Sequence, residues 1–76
     1  MMVKDGESYW NHRVVKKGEL YGIHECHYNH EGKIEFITED AISVEAESRD
    51  GVKWCLRMME ANWILPVIDF DTLKEI

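Results

Sequence analysis

The side chains with the most obvious chemical potential lie in one short run, residues 24–30, with the sequence His-Glu-Cys-His-Tyr-Asn-His. Histidine, cysteine and glutamate are the usual zinc ligands, and zinc sites place them in pairs with short spacing. Outside this run the remaining histidine and cysteine are the isolated His12 and Cys55, which supply no second ligand pair. We therefore predict no metal site and no cofactor, and we expect added zinc to leave thermal stability unchanged.

The geometry of an extended strand also argues against catalysis by this run. In a strand His24 and Cys26 share one face, while Glu25 and His27 lie on the other, so the neighbouring acid and base do not face each other. A nucleophilic cysteine would further require an exposed, activated thiolate. The sequence has no nucleophile elbow, no glycine-rich phosphate loop and no HExxH motif. It predicts a protein that is not an enzyme, with no catalytic residue.

Three predicted strands position these side chains. Residues 9–16, 20–28 and 33–38 are rich in β-branched and aromatic residues. Gly18 suits a tight reversal with positive φ, and residues 29–32 have the asparagine-first, glycine-last pattern of a type I turn. The sequence predicts a three-stranded antiparallel meander, with the face that carries Cys26 turned toward the core.

One helix is predicted after the strands. The apolar residues with helical spacing are Val52, Cys55, Leu56, Met59 and Trp63. Ser48 or Asp50 can cap the start of this helix, and Pro66 is expected to end it. Its apolar stripe is the expected cover for the Cys26 face. The predicted fold class is α+β, a three-stranded antiparallel β-meander covered on one face by a single C-terminal α-helix, ββ(β)α.

The chain of 76 residues allows one small domain, residues 1–76. Residues 1–8 are expected to fray. Residues 41–47 form either an irregular crossover or a short fourth strand, and we favour the crossover. Residues 67–76 alternate apolar and acidic side chains, and this tail either lies along the domain as a short strand or turn, or extends as a partner-binding segment.

The charge distribution excludes one class of partner. The formal net charge is -6, and it arises in residues 35–76, which hold ten acidic against four basic residues. This charge disfavours direct binding of nucleic acid. The two cysteines form no CxxC pair, which favours a reducing compartment. The sequence also contains no signal-peptide or membrane-spanning stretch. We therefore predict a cytoplasmic protein without membrane contact.

Blocks of residues between positions 10 and 68 resemble a family of short uncharacterised bacterial and phage proteins with the pattern YGIHEVYYDEDGKI, then TE, ES, a helix and PV. The matching blocks are Tyr21 to Glu25, Tyr28-Asn29, Gly32 to Ile34, Thr38-Glu39, Glu47-Ser48, Met58, Ala61 and Pro66-Val67. The sequence departs from the pattern at Cys26-His27 and at Gly51-Val52. The order of a meander and then a helix is also similar to the fold of HicB-like antitoxins. The resemblance implies no activity.

The predicted function is that of a small protein-binding or self-associating module. The sheet face opposite Cys26 carries Tyr21, Ile23, Glu25 and His27, a mixture of apolar and ionisable side chains typical of an interface. These four are the predicted binding residues, for a protein partner or a second copy, and protonation of His27 at mildly acidic pH is expected to shift the association. The alternative is an acidic inhibitor of phage type, similar to anti-CRISPR or DNA-mimic proteins, that occupies the groove of a nucleic-acid-processing enzyme.

Overall fold

A computed structural model of the chain describes residues 9–76, so the predicted fraying of residues 1–8 lies outside the described residues. The elements in chain order are β1 (Tyr9–Lys17), β2 (Leu20–Tyr28), β3 (Ile34–Ile37), α1 (Arg49–Glu60) and β4 (Ile68–Asp69). They form an α+β domain with a curled, mixed sheet of four strands in the order β3-β2-β1-β4. The α+β class and the antiparallel β1-β2-β3 meander are as predicted, and the sheet has one strand more than the prediction.

Both predicted turns are present. Gly18 has a φ of 63°, a conformation that costs glycine little, and the β1–β2 hairpin pairs Lys17 with Leu20 beside it. In the second turn the Gly32 amide donates to the Asn29 carbonyl at 2.9 Å. The Asn29 side-chain oxygen accepts from the Glu31 amide at 2.9 Å, which fixes the turn from within.

The connection from β3 to α1 is the predicted irregular crossover. Residues 38–48 contain no helix or strand. The Ile42 amide donates to the Ile23 carbonyl at 2.8 Å, so the crossover runs alongside β2. A Cβ on Gly22 would lie 3.1 Å from the Cβ of Ala41, so the absence of a side chain at Gly22 lets the crossover approach this closely.

The C-terminal residues are an ordered part of the sheet. Ile68 pairs with Val15 in parallel β1–β4 pairing and forms an isolated bridge with Glu75. The Phe70 amide donates to the Lys16 carbonyl at 3.0 Å. Of the two predicted conformations for residues 67–76, a short strand with a turn is therefore the one observed.

The core lies on the face that carries Cys26, as predicted, but the helix does not cover it. Its buried apolar side chains are Val15, Cys26, Tyr28, Ile37 and Ile68. Phe70 and Leu73 pack against this cluster from the C-terminal segment. The predicted cover was wrong because the alternating residues after Pro66 place Ile68 directly beside Val15, and this short segment occupies the space in which the helix was expected.

Helix α1 lies against β1 on the opposite, outer face of the sheet. Only Met59 of this helix is buried, and Leu56, expected in the core, is 51% exposed. Of the two predicted caps, Ser48 is the one observed, because its hydroxyl accepts from the Gly51 amide at 3.0 Å. No helix formed by residues 9–76 is long and apolar enough to cross a membrane.

The helix ends at Glu60, six residues before Pro66, and not at the proline. The Trp63 amide donates to the Glu60 carbonyl at 2.9 Å, a three-residue turn that replaces the helical pattern. The Asn62 side chain donates to the His12 carbonyl at 3.2 Å and ties this turn to β1. Trp63 therefore lies in a turn that projects from the outer face, outside the helix that was predicted to contain it.

Candidate docking surface

The histidine and cysteine run divides between the two faces of the sheet as strand geometry requires. His24 and Cys26 are buried on the inner face, and the His24 Nδ1 lies 2.9 Å from the Thr38 carbonyl oxygen, to which it donates. Burial raises the pKa of the Cys26 thiol, which keeps it in the un-ionised, unreactive form. Within residues 9–76 there is no group of three or more histidine, cysteine or acidic side chains arranged to hold a metal ion.

A polar network that the sequence did not suggest lies on the inner face around Arg13, which is only 5% exposed. Its Nη1 donates to the Tyr28 hydroxyl at 2.9 Å, and its Nη2 donates to the Pro66 carbonyl at 2.7 Å and to Glu75 Oε2 at 2.9 Å. The Tyr28 hydroxyl in turn donates to Asn11 Oδ1 at 2.9 Å. Burial alone would lower the pKa of Arg13, but the hydrogen bonds to Glu75 and Tyr28 raise it overall. These hydrogen bonds connect Pro66 and Glu75, near the two ends of the C-terminal segment, to Arg13 in β1.

The predicted binding residues all lie on the outer face, where they form two groups. Glu25 and His27 are adjacent, with the His27 Nε2 3.1 Å from Glu25 Oε1. The His27 ring stacks on Phe36, with ring centroids 4.2 Å apart. Tyr21 and Ile23 lie closer to the helix and belong to a larger apolar area.

This apolar area centres on a groove of about 850 Å³ between the sheet, the crossover and α1. The side chains that line it are Ile23, Ile42, Val44, Leu56, Met59, Glu60, Ala61, Trp63 and Ile64. Glu60 is the single ionisable group among them, in a protein where a third of all residues are charged. The groove is thus an almost uncharged surface on an otherwise strongly charged domain.

Trp63 and Ile64 form a ridge along one side of this groove. They are 72% and 90% exposed, respectively. A second depression of about 590 Å³ lies on the other side of the ridge, where Val14, Tyr21, Leu65 and Val67 complete the lining. We call the groove, the ridge and the second depression together the outer apolar surface.

Sequence reasoning missed this surface because helical spacing identifies an apolar stripe without showing what packs on it. Leu56 and Trp63 were assigned to the core. One available signal was the crowding of aromatic and aliphatic residues in positions 63–65, more than a single helix stripe requires.

Comparisons of the chain with protein-family models, with curated proteins and with solved structures found no match. The resemblance to short bacterial and phage proteins and the similarity to HicB-like antitoxins therefore stay predictions.

Proposed function

We propose that this chain is a non-enzymatic, self-associating module of the cytoplasm, and that two copies pack through their outer apolar surfaces. The observation that carries the proposal is the shape of that surface, a ridge with an apolar depression on each side. Such a surface is complementary to its own two-fold mate, because the ridge of each copy can enter the groove of the other. Tyr21 and Ile23 from the predicted binding residues take part directly.

The exposed apolar area is sufficient for a specific contact. Six exposed side chains contribute to it, namely Tyr21, Val44, Leu56, Trp63, Ile64 and Leu65. At on the order of 100 Å² each they offer roughly 600 Å², against the roughly 800 Å² that each partner contributes to a standard interface. The largest apolar patch of a typical monomer covers about 300–600 Å² and is often functional, so this surface lies at the upper end of that range.

The charge of the surface also favours a second copy over a charged partner. The net charge of -6 makes any two copies repel one another. This repulsion is least where the surface is uncharged, and Glu60 alone brings charge to the groove. Contact through the groove thus brings only Glu60 of its lining residues into the interface as a like charge.

The test is sedimentation of the full chain over a wide range of concentrations, with two matched lysine variants. Ile64→Lys places a charge on the ridge. Leu20→Lys places the same charge at a site that is similarly exposed, at 77%, but lies on the inner face of the sheet. Neither variant should change folding stability by more than about 0.5 kcal/mol, since both side chains are exposed. We expect a dimer for the wild type and for Leu20→Lys, and a monomer for Ile64→Lys. A monomeric wild type at every concentration would refute the proposal.

Added salt separates this proposal from the acidic-inhibitor alternative. An apolar contact between two copies should persist or strengthen as salt screens their mutual repulsion. A DNA-mimic contact with a basic enzyme groove should weaken steeply under the same conditions. Dissociation of the dimer by salt would therefore count against the outer apolar surface as the contact.

A further inference from the structure

The inner face of the domain carries a polar depression that differs chemically from the outer apolar surface. It has a volume of about 530 Å³ and lies between the β2–β3 turn and the C-terminal segment. Its polar lining consists of Arg13, Tyr28, Lys33, Thr72, Lys74 and Glu75. We propose that this depression binds a small dianionic oxyanion of the phosphate monoester type, with Arg13, Lys33 and Lys74 as its cationic ligands.

The local charge is the first argument. Three cations and one carboxylate line the depression, a surplus of two positive charges in a chain with a net charge of -6. Within the described part of the chain neither Lys33 nor Lys74 forms an ion pair with a carboxylate. Cations grouped around one depression attract an anion more strongly than the same charges dispersed over the surface. The surplus matches the charge of a phosphate monoester above its second ionisation.

The bonding of Arg13 is the second argument. Its Nε is buried and has no hydrogen-bond partner, which is uncommon and unfavourable for a buried donor. Glu75 bonds through one oxygen to Nη2 alone. Nε and Nη2 form one edge of the planar guanidinium. Pro66 and Glu75 take both hydrogens of Nη2, so an oxyanion accepts from Nε and Nη2 through two of its oxygens when it replaces Glu75. A phosphate at this edge would satisfy the donor that Glu75 leaves unpaired.

The accessibility of Glu75 is the third argument. Its side chain is 55% exposed although it bonds to a buried guanidinium, so the carboxylate can swing into solvent and uncover the Arg13 edge. Glu75 thus acts as an internal anion that an external oxyanion replaces. Removal of its negative charge should strengthen phosphate binding, whereas a purely structural Arg13–Glu75 pair predicts no phosphate effect.

The experiment follows thermal stability and the Arg13 Nε–H resonance during titration of the full chain with inorganic phosphate, against chloride at equal ionic strength. A ligand that binds only the folded state raises the melting temperature as its concentration increases. We expect a phosphate-specific rise in the melting temperature and a saturable shift of the Arg13 resonance. Glu75→Gln should bind phosphate about tenfold more tightly, equivalent to about 1.4 kcal/mol.

Two lysine variants test the depression, and a third lysine variant is the control. Lys33→Gln and Lys74→Gln should each weaken phosphate binding roughly two- to fivefold, the range for a solvent-exposed ion pair. Lys53→Gln, on the exposed part of helix α1 outside the depression, loses the same charge and should leave binding unchanged. Equal effects of phosphate and chloride, or equal losses in all three variants, would overturn the inference. Phosphate binding at this inner-face depression does not depend on self-association through the outer apolar surface, so the two proposals can fail separately.

Discussion

Truncation of Ile68 to alanine should destabilise the protein far more than the same truncation at Leu56. Ile68 is fully buried against β1, and loss of a buried isoleucine to alanine costs about 2–5 kcal/mol, including the cavity it leaves. Leu56 is 51% exposed. Full burial of a leucine contributes about 1.5–3 kcal/mol, so half of that, about 1 kcal/mol, is the expected cost at Leu56, where solvent fills the space.

Urea unfolding of both variants tests this difference. A chain of 76 residues has a total stability of about 4–11 kcal/mol, so Ile68→Ala removes a large part of it. With a denaturant slope of about 1 kcal/mol per molar urea, the midpoint should fall by about 2 M or more for Ile68→Ala and by about 1 M or less for Leu56→Ala. Low protein concentration keeps any dimer from contributing to the stability of the Leu56 variant.

Equal midpoint shifts for the two variants would refute the placement of the C-terminal segment over the core. A larger shift for Leu56→Ala would mean that the helix covers the inner face after all. Unchanged denaturant slopes in both variants would confirm that the comparison concerns the folded state and not the compactness of the unfolded chain.

The remaining predictions concern ionisation, capping and association. Burial raises the pKa values of Cys26 and Tyr28, so the folded state holds these protons to higher pH than the unfolded state does. The free energy of unfolding should therefore fall as the pH rises above about 8.5, where an unperturbed thiol ionises. Unfolding curves of a Cys26→Ala variant at alkaline pH should lack the first part of this decline. A thiol reagent should modify Cys55 in the native protein and Cys26 only after unfolding, as mass spectrometry would show. Ser48→Ala should lower the free energy of unfolding by about 1 kcal/mol through loss of the helix cap, measured by urea denaturation. Self-association in sedimentation should respond to pH equally in the wild type and in His27→Asn, because His27 lies outside the outer apolar surface; a response lost in His27→Asn would place the contact at the Glu25–His27 pair instead.

The local features of this protein were predictable from short stretches of sequence. Gly18 and the turn at residues 29–32 locate the two reversals of the meander, and Ser48 locates the helix start, because each requirement involves only neighbouring residues. Strand alternation places Cys26 and His27 on opposite faces, since the period of two is a property of the backbone itself. The tertiary structure shows that the favoured Cys26 face is the buried one.

Tertiary structure alone decided which element covers that buried face. The helix stripe and the C-terminal segment are both apolar on one side, and sequence periodicity does not rank one cover against the other. The choice depends on contacts between distant parts of the chain, such as the Arg13 hydrogen bonds to Pro66 and Glu75, which span 53 and 62 positions. Once Ile68 occupies the place beside Val15, the helix is left on the outer face with Leu56 and Trp63 exposed, and the outer apolar surface exists for that reason.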